Sequence, residues 1–221
     1  MRVDCSAVLF DLDGVLVDST EYIERQWREW AVSKGLDPAP FLRVCHGRRA
    51  VETIRLAAPQ LDAEAEVARF RTQATDDVAL APLPGARALL AALAGQRWAV
   101  VTSGARRFAL ARLARAGLPI PPVLISGDDV REGKPSPEGY LSAARLVGAD
   151  PQACVVFEDA PPGVASARAA GATVIAVGTT HPPDALAEAH AIVRSLADVH
   201  FRPSPAAPFA LEMALLPIIP V

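Results

Sequence analysis

The sequence predicts an α/β protein in which a mostly parallel sheet is covered by helices on both faces and a small helical unit is inserted early in the chain. Three observations carry that prediction. Short apolar runs suited to buried strands recur with helical patterns between them, the alternation of a parallel sheet. Polar, carboxylate-rich segments stand directly after several of those runs. From Val15 to about Leu83 the chain carries helical patterning and no convincing strand.

The elements follow in order. Ala7 to Phe10 is the first buried run. The insertion opens with a helix whose apolar stripe is Ile23, Trp27, Trp30 and Ala31, while Glu21, Glu24, Arg25, Arg28 and Glu29 take the other faces. Both Trp fall on the stripe, so they read as core of the insertion rather than as stacking platforms. Val44-Cys45-His46-Gly47-Arg48-Arg49-Ala50 then interrupts the helical pattern as a glycine-bearing loop. Pro82, Pro84 and Gly85 punctuate the return. Ala86, Leu89, Leu90 and Leu93 mark the next helix, and the run Trp98 to Val101 the next strand. Val123 to Ile125 is a third strand, and Tyr140, Leu141, Ala144 and Val147 lie on one helix face. Ala153 to Phe157 and Thr173 to Val177 are further strands, with a weaker one near Ile192 and Val193. Gly95, Gly117 and Gly148 fall where helices should stop. From Phe201 onward Pro203, Pro205, Pro208, Pro217 and Pro220 argue against a helix or a central strand and for a tail or strap. The reading divides the chain into a discontinuous core of residues 1–16 and 84–204, a helical insertion of 17–83 and a Pro-rich tail of 205–221, without solenoid repeats.

Composition narrows the function classes. The 221 residues are 51% hydrophobic and 21% charged, which suits a substantial buried core and excludes global disorder. Twenty-two Lys and Arg against 25 Asp and Glu leave a net charge of −3, with no surplus to favour nucleic acid or an anionic membrane. Apolar stretches break within about ten residues, short of the roughly 20 that span a bilayer. Met1 to Phe10 reaches Asp11 before a signal-peptide core forms, and Cys5, Cys45 and Cys154 are odd in number and scattered. The expectation is a cytoplasmic protein, a monomer or weak homodimer, whose partner is a small molecule.

Chemistry is expected at the carboxyl ends of the strands. Ala7 to Phe10 is followed by Asp11-Leu12-Asp13-Gly14, Trp98 to Val101 by Thr102-Ser103-Gly104, and Cys154 to Phe157 by Glu158-Asp159. In a parallel sheet these positions share the edge where doubly wound folds bind ligands. Asp11, Asp13, Glu158 and Asp159 would oppose one another's ionisation there, so positive charge is needed among them. Lys134, in Gly133-Lys134-Pro135, supplies one charge and a divalent cation with oxygen ligands supplies two, leaving the site near −1. Taken singly, Thr102 or Ser103 reads as the N-cap of the helix that follows, and Lys134 as a solvated lysine.

Asp11-Leu12-Asp13-Gly14-Val15-Leu16-Val17-Asp18-Ser19, Thr102-Ser103-Gly104, Gly133-Lys134-Pro135-Ser136-Pro137-Glu138 and Phe157-Glu158-Asp159-Ala160-Pro161-Pro162-Gly163 resemble, in order and spacing, the four motifs of haloacid dehalogenase (HAD) superfamily phosphatases. The resemblance spans roughly residues 5 to 180. It implies a Rossmann-like HAD core with an inserted helical cap. It implies Asp11 as the nucleophile, forming an aspartyl-phosphate, and Asp13 as the acid and base of the two half-reactions. It implies Mg2+ held by Asp11, the Asp13 carbonyl and Asp159, with Glu158 a ligand or a partner of one, and Thr102 and Lys134 on the phosphoryl oxygens. Ser103 and Gly104 join Thr102 in binding substrate on this reading.

The insertion lies where that superfamily places its cap, which implies that it closes over the site and selects the leaving group. Arg49 and His46 are the expected cap contacts to substrate. More closely, Glu24-Arg25-x-Trp27-x-x-Trp30, His46-Gly47-x-Arg49, Thr102-Ser103-Gly104-x-Arg106 and the Lys134 and Glu158 segments resemble the group of 2-deoxyglucose-6-phosphate phosphatase, glycerol phosphate phosphatase and related sugar phosphatases. The implied substrate is a small phosphorylated sugar or polyol. Two alternatives stay open: a β-phosphoglucomutase-like phosphomutase, whose pattern has a His where this chain has Ile23, and a non-catalytic phosphometabolite-binding protein of the same fold. A dehalogenase lacks the second acidic residue of D-x-D, here Asp13. His181 reads as an exposed loop residue.

Overall fold

A computed structural model describes residues 1–73 and 79–216, with the backbone alone for 70–73. In chain order the elements are β1 (Arg2–Cys5), β2 (Ala7–Phe10), β3 (Val17–Asp18), α1 (Thr20–Ser33), α2 (Ala39–Leu42), α3 (Ala50–Ala57), α4 (Ala63–Gln73) and β4 (Ala81–Pro82). Then come α5 (Ala86–Ala92), β5 (Trp98–Val101), α6 (Arg106–Arg115), β6 (Val123–Ile125), α7 (Glu138–Val147), β7 (Cys154–Glu158), α8 (Pro161–Ala169), β8 (Thr173–Val177), β9 (Ala191–Val193), β10 (Val199–Arg202) and β11 (Phe209–Met213).

Six strands form a parallel sheet in the order β6-β5-β2-β7-β8-β9. β2 therefore stands between β5 and β7, and the residues that follow these three strands meet at one edge. Register makes the meeting close: Phe10 pairs with Val100 on one side and with Phe157 on the other, and Asp11 N–H donates to Phe157 O at 2.9 Å. Neighbouring strands lie about 4.8 Å apart, so side chains one residue beyond these pairs stand within reach of each other.

Both sheet faces are buried, which is why these strands read as unbroken apolar runs. Val8, Phe10, Val100, Val155 and Phe157 face α5 and α6 through Leu89, Leu90, Ala109 and Leu113. Leu9, Val101, Val156 and Val174 face α7 and α8 through Tyr140, Ala143, Ala144, Val164 and Ala167. The insertion carries its own core of Trp27, Trp30, Ala31, Phe41, Cys45 and Ile54. Phe41 stacks on Trp27 at 5.8 Å and meets Trp30 edge-on at 5.2 Å, so both Trp are structural, as their stripe predicts.

Two expectations are corrected. The interval from Val15 to Leu83 does hold strand: β3 and β4 pair antiparallel, Val17 with Pro82 and Asp18 with Ala81, where the chain leaves and re-enters the sheet domain. Two residues each are too short to show a period. The tail is not strand-free either. β11 is the middle strand of a sheet β1-β11-β10, and Phe209 and Leu211 are buried against the main core. Pro203, Pro205 and Pro208 fall in the connection between β10 and β11, so each strand keeps its N–H donors. Pro217 and Pro220 lie outside the described residues. Among the described residues no helix is long and apolar enough to cross a membrane.

Candidate active site

Asp11 leaves the end of β2 and is 4% exposed. Its Oδ1 accepts from Lys134 Nζ at 2.6 Å. The same ammonium donates to Glu158 Oε1 at 2.5 Å and to Val101 O at 3.3 Å, so its three protons reach the ends of β2, β7 and β5 together. Glu158 is fully buried. Its Oε1 also accepts from Tyr140 Oη at 2.6 Å, and Oε2 accepts from Asp159 N–H at 3.1 Å. α8 passes close behind it: a Cβ on Gly163 would stand 2.0 Å from the Glu158 carboxyl, so only glycine permits that packing.

One oxygen each from Asp11, Glu158 and Asp159 lies within 4.8 Å of the others. Burial pushes the Asp11 carboxyl up to about 7, with the charges of Glu158 and Asp13 adding to the effect and Lys134 opposing it. Asp159 is raised well above the ordinary carboxylate range, first by burial and then by Asp11 and Glu158. Burial works against a charged Lys134 too, but Asp11 and Glu158 overcome it and hold the lysine above its usual value. Tyr140 is raised by burial and then by Glu158, so its hydroxyl stays a proton donor. Three carboxylates beside one ammonium leave two negative charges, and the hard oxygens of Asp11 and Asp159 fit a divalent cation such as Mg2+. Glu158 fits the role of a partner better than that of a ligand, because Lys134, Tyr140 and the Asp159 amide already engage both its oxygens. Backbone room at the site comes from Gly14, whose φ is +81° and whose Cβ would fall 2.1 Å from Asp159 Oδ2.

Asp13 stands outside that trio. Ser19 Oγ donates to its Oδ1 and Arg112 Nη1 to its Oδ2, both at 2.6 Å. The Arg112 charge revises the count made from the sequence: with a divalent cation bound, two basic side chains and the metal balance four carboxylates, and the site is neutral rather than near −1. A phosphate dianion is better accommodated by a neutral site.

Thr102 is buried after β5, with its N–H on Ile125 O at 2.8 Å and its Oγ1 accepting from Gly104 N–H at 3.1 Å. Neither Thr102 nor Ser103 is the N-cap of α6. That position is Ala105, two residues later, because Thr102-Ser103-Gly104 is taken up by the turn at the sheet edge. Ser103 Oγ donates across to Gly47 O of the insertion at 2.9 Å. Gly47 has φ +73°, and a Cβ there would lie 3.0 Å from Ala160, so the Cys45–Arg49 loop rests against the sheet domain.

From the insertion, His46 Nε2 pairs with Glu24 Oε1 at 3.3 Å and its ring meets that of His181 edge-on at 5.9 Å. His181 is thus not the exposed loop residue expected; its Nδ1 lies 3.0 Å from Asp159 O, and burial lowers its pKa. The Arg49 guanidinium is committed to protein partners: Nε and Nη2 donate to Glu52 Oε1, Nη1 to Val130 O and Nη2 to Arg131 O. Arg49 nevertheless lines one small cavity with Thr102, Ser103 and Lys134.

The structure brings together Asp11, Lys134, Glu158 and Asp159, and sets Asp13, Thr102, Ser103, Gly104, His46 and Arg49 around them. Sequence reasoning missed Arg112, Ser19 and the role of Tyr140. Arg112 left a signal, as it interrupts the apolar stripe of Phe108, Ala109 and Leu113 on α6, where a buried charge demands a partner. Tyr140 left none, since a Tyr on an apolar helix face reads as core.

Comparison with known proteins agrees with this geometry. A family model described as haloacid dehalogenase-like hydrolase matches residues 5–171. Hexitol phosphatase A of Escherichia coli is 44% identical over 201 residues, covering 88% of this chain and 93% of that protein. Glycerol-1-phosphate phosphohydrolase 2 of Saccharomyces cerevisiae is 35% identical, covering 85% of this chain and 80% of that protein. A crystal structure of a hydrolase from Pseudomonas syringae superposes with a TM-score of 0.80 at 25% identity, covering 87% of this chain and 95% of the other.

Proposed function

Because the chain belongs to the haloacid dehalogenase-like hydrolase family, we propose that it is a Mg2+-dependent phosphomonoesterase that hydrolyses a small phosphorylated sugar or polyol through an aspartyl-phosphate. The observation that carries this reading is the buried trio of Asp11, Glu158 and Asp159 built around Lys134, with the Asp13 carboxylate beside it. Support for the substrate class comes from relatives named as hexitol and glycerol phosphatases.

In this reading an Asp11 carboxylate oxygen attacks phosphorus in line with the leaving oxygen. The P–O bond to the sugar or polyol breaks, and Asp13 gives the departing alkoxide a proton. Water then attacks the phosphoryl group held on Asp11, Asp13 takes the water's proton, and the P–O bond to Asp11 breaks to release inorganic phosphate. Lys134 opposes the burial that raises the Asp11 carboxyl, favouring its ionised form, and donates to phosphoryl oxygens, with Thr102 opposite it. Asp11, the Asp13 carbonyl and Asp159 would hold Mg2+, which supplies charge neutralisation to the phosphoryl oxygens when bound. Glu158 and Tyr140 fix the lysine.

Residues 17–83 act as a lid in this account, pivoting where β3 and β4 pair at its base. His46 pairs with Glu24 and meets His181, whose Nδ1 lies 3.0 Å from Asp159 O, so this group borders the carboxylate trio and is suited to hydrogen-bond substrate hydroxyls. Arg49 serves the closed lid through Glu52 and the loop from Val130 to Gly133, and so acts on substrate by holding the cleft shut.

The test is a kcat/KM comparison across hexitol, sugar, glycerol and nucleotide monophosphates, with and without Mg2+, alongside glucose 1-phosphate isomerisation. Preference for polyol or sugar phosphates with metal dependence supports the reading. Isomerisation in place of phosphate release would make the protein a mutase, and turnover of nothing would leave a binding protein.

A further inference from the structure

Arg112 is a buried cation whose charge counts in the site's balance but to which the proposed chemistry gives no step. It lies on the inward stripe of α6 between Ala109 and Leu113 and is 8% exposed. Its Nε is buried with no hydrogen-bond partner. Burying a guanidinium with an unpaired N–H costs stability, and at a position otherwise flanked by Ala and Leu an apolar side chain would pack at no such cost. Something else must favour arginine there.

The compensating contact is Nη1 to Asp13 Oδ2 at 2.6 Å. Ser19 Oγ holds the other carboxylate oxygen at the same distance, so donors on opposite oxygens fix both the position and the rotation of the carboxylate. The guanidinium is itself held. Its Cζ lies 6.0 Å from the Tyr22 ring of α1, and Nη1 lies 3.6 Å from where a Cβ on Gly104 would stand, beside the Thr102–Gly104 turn. We propose that Arg112 is a positioning residue that aims the Asp13 carboxylate at the leaving oxygen. The inference rests on the reading of Asp13 as the acid of the first half-reaction.

Leaving-group dependence tests it. An alkyl phosphate needs a proton on its leaving oxygen, whereas 2,4-dinitrophenyl phosphate departs without one, so misplacing Asp13 harms the first far more. R112M, R112Q and R112K are compared with wild type by kcat/KM at saturating Mg2+ on glycerol 1-phosphate and on the dinitrophenyl ester. Unfolding curves confirm that each variant folds, and R112Q stands in should R112M not fold. R112M should lose about 100-fold on the alkyl ester, at least about ten times its loss on the aryl ester. R112K should recover part of the difference. In the D13N background, R112M should cost little more, because the two act as a unit.

Equal losses on both esters, or full additivity with D13N, would overturn the proposal. A rise in KM alone would assign Arg112 to substrate anion binding instead. Wild-type protein that turns over neither ester would defeat the phosphatase reading itself, an outcome distinct from any of these.

Discussion

Glu52, on a helix of the insertion, accepts the backbone N–H of Gly133 in the sheet domain at 2.9 Å. Gly133 precedes Lys134, whose ammonium bridges Asp11 and Glu158. The same Glu52 oxygen receives Arg49, which also donates to Val130 O and Arg131 O. The seating of the insertion on the sheet domain and the placement of the lysine are thus coupled through one carboxylate.

That coupling predicts the behaviour of E52A. Losing the acceptor leaves Arg49 only its two carbonyl partners and frees the Gly133 amide, so the insertion, acting as the proposed lid, should open more readily and the lysine loop should loosen. We expect kcat/KM on a sugar or polyol phosphate to fall about 10- to 100-fold, with KM rising, and cleavage by protease within the insertion to quicken. Unchanged proteolysis and kinetics would remove Glu52 from lid closure.

Lys134→Met should damage both fold and activity. It leaves Asp11 and Glu158 buried without their shared cation, and breaking a buried pair in this way costs about 3–5 kcal/mol. Thermal unfolding should shift down markedly, and Mg2+ should restore part of the loss by occupying the carboxylates. A variant as stable as wild type without metal would contradict the charge balance drawn above.

Gly14→Ala is expected to abolish metal-dependent activity while the sheet survives, since its Cβ would displace the Asp159 carboxylate at a backbone φ of +81°. Isothermal titration with Mg2+ should show affinity weakened by more than about tenfold. Wild-type affinity would show that Asp159 is free to move aside.

The thiols yield a pH prediction. Burial pushes Cys5 and Cys45 up to about 12 and Cys154 up to about 11. A raised thiol pKa lowers the thiolate fraction at any given pH below it, so native protein at pH 8 should react with a disulfide reagent far more slowly than free cysteine, whose pKa is about 8.5. All three should react at once in denaturant. Rapid labelling of the native protein would show local opening, of the sheet near β1 or β7 where Cys5 or Cys154 reacts and of the insertion's core where Cys45 does.

Much of this fold was legible because a parallel sheet buried on both faces writes its strands as apolar runs. Ala7 to Phe10 and Trp98 to Val101 match the observed strands residue for residue. β11 was not legible, since prolines on either side of Phe209 to Met213 hide a central strand whose own residues are free of them. At the site, residues fixed by position after a strand, such as Asp11, Thr102 and Asp159, could be placed from chain order alone. Arg112 and Tyr140 reach the site from helices and Ser19 from the N-cap of α1, where placement depends on how those elements pack. Arg49 shows a different limit: its partners within the protein were not legible. Its residue type and loop suggested substrate, but Glu52 three residues on and the carbonyls of a distant loop engage its donors.

The central claim is that Asp11 becomes covalently phosphorylated during turnover. Rapid acid quenching of protein mixed with Mg2+ and its best sugar or polyol phosphate, followed by peptide mass spectrometry, reads that step directly. The account predicts one added phosphoryl group on the peptide containing Asp11 and none in D11N, whose turnover should fall by more than about a thousandfold while its unfolding transition is kept. Steady phosphate release with Asp11 unmodified, or with D11N still active, would contradict it.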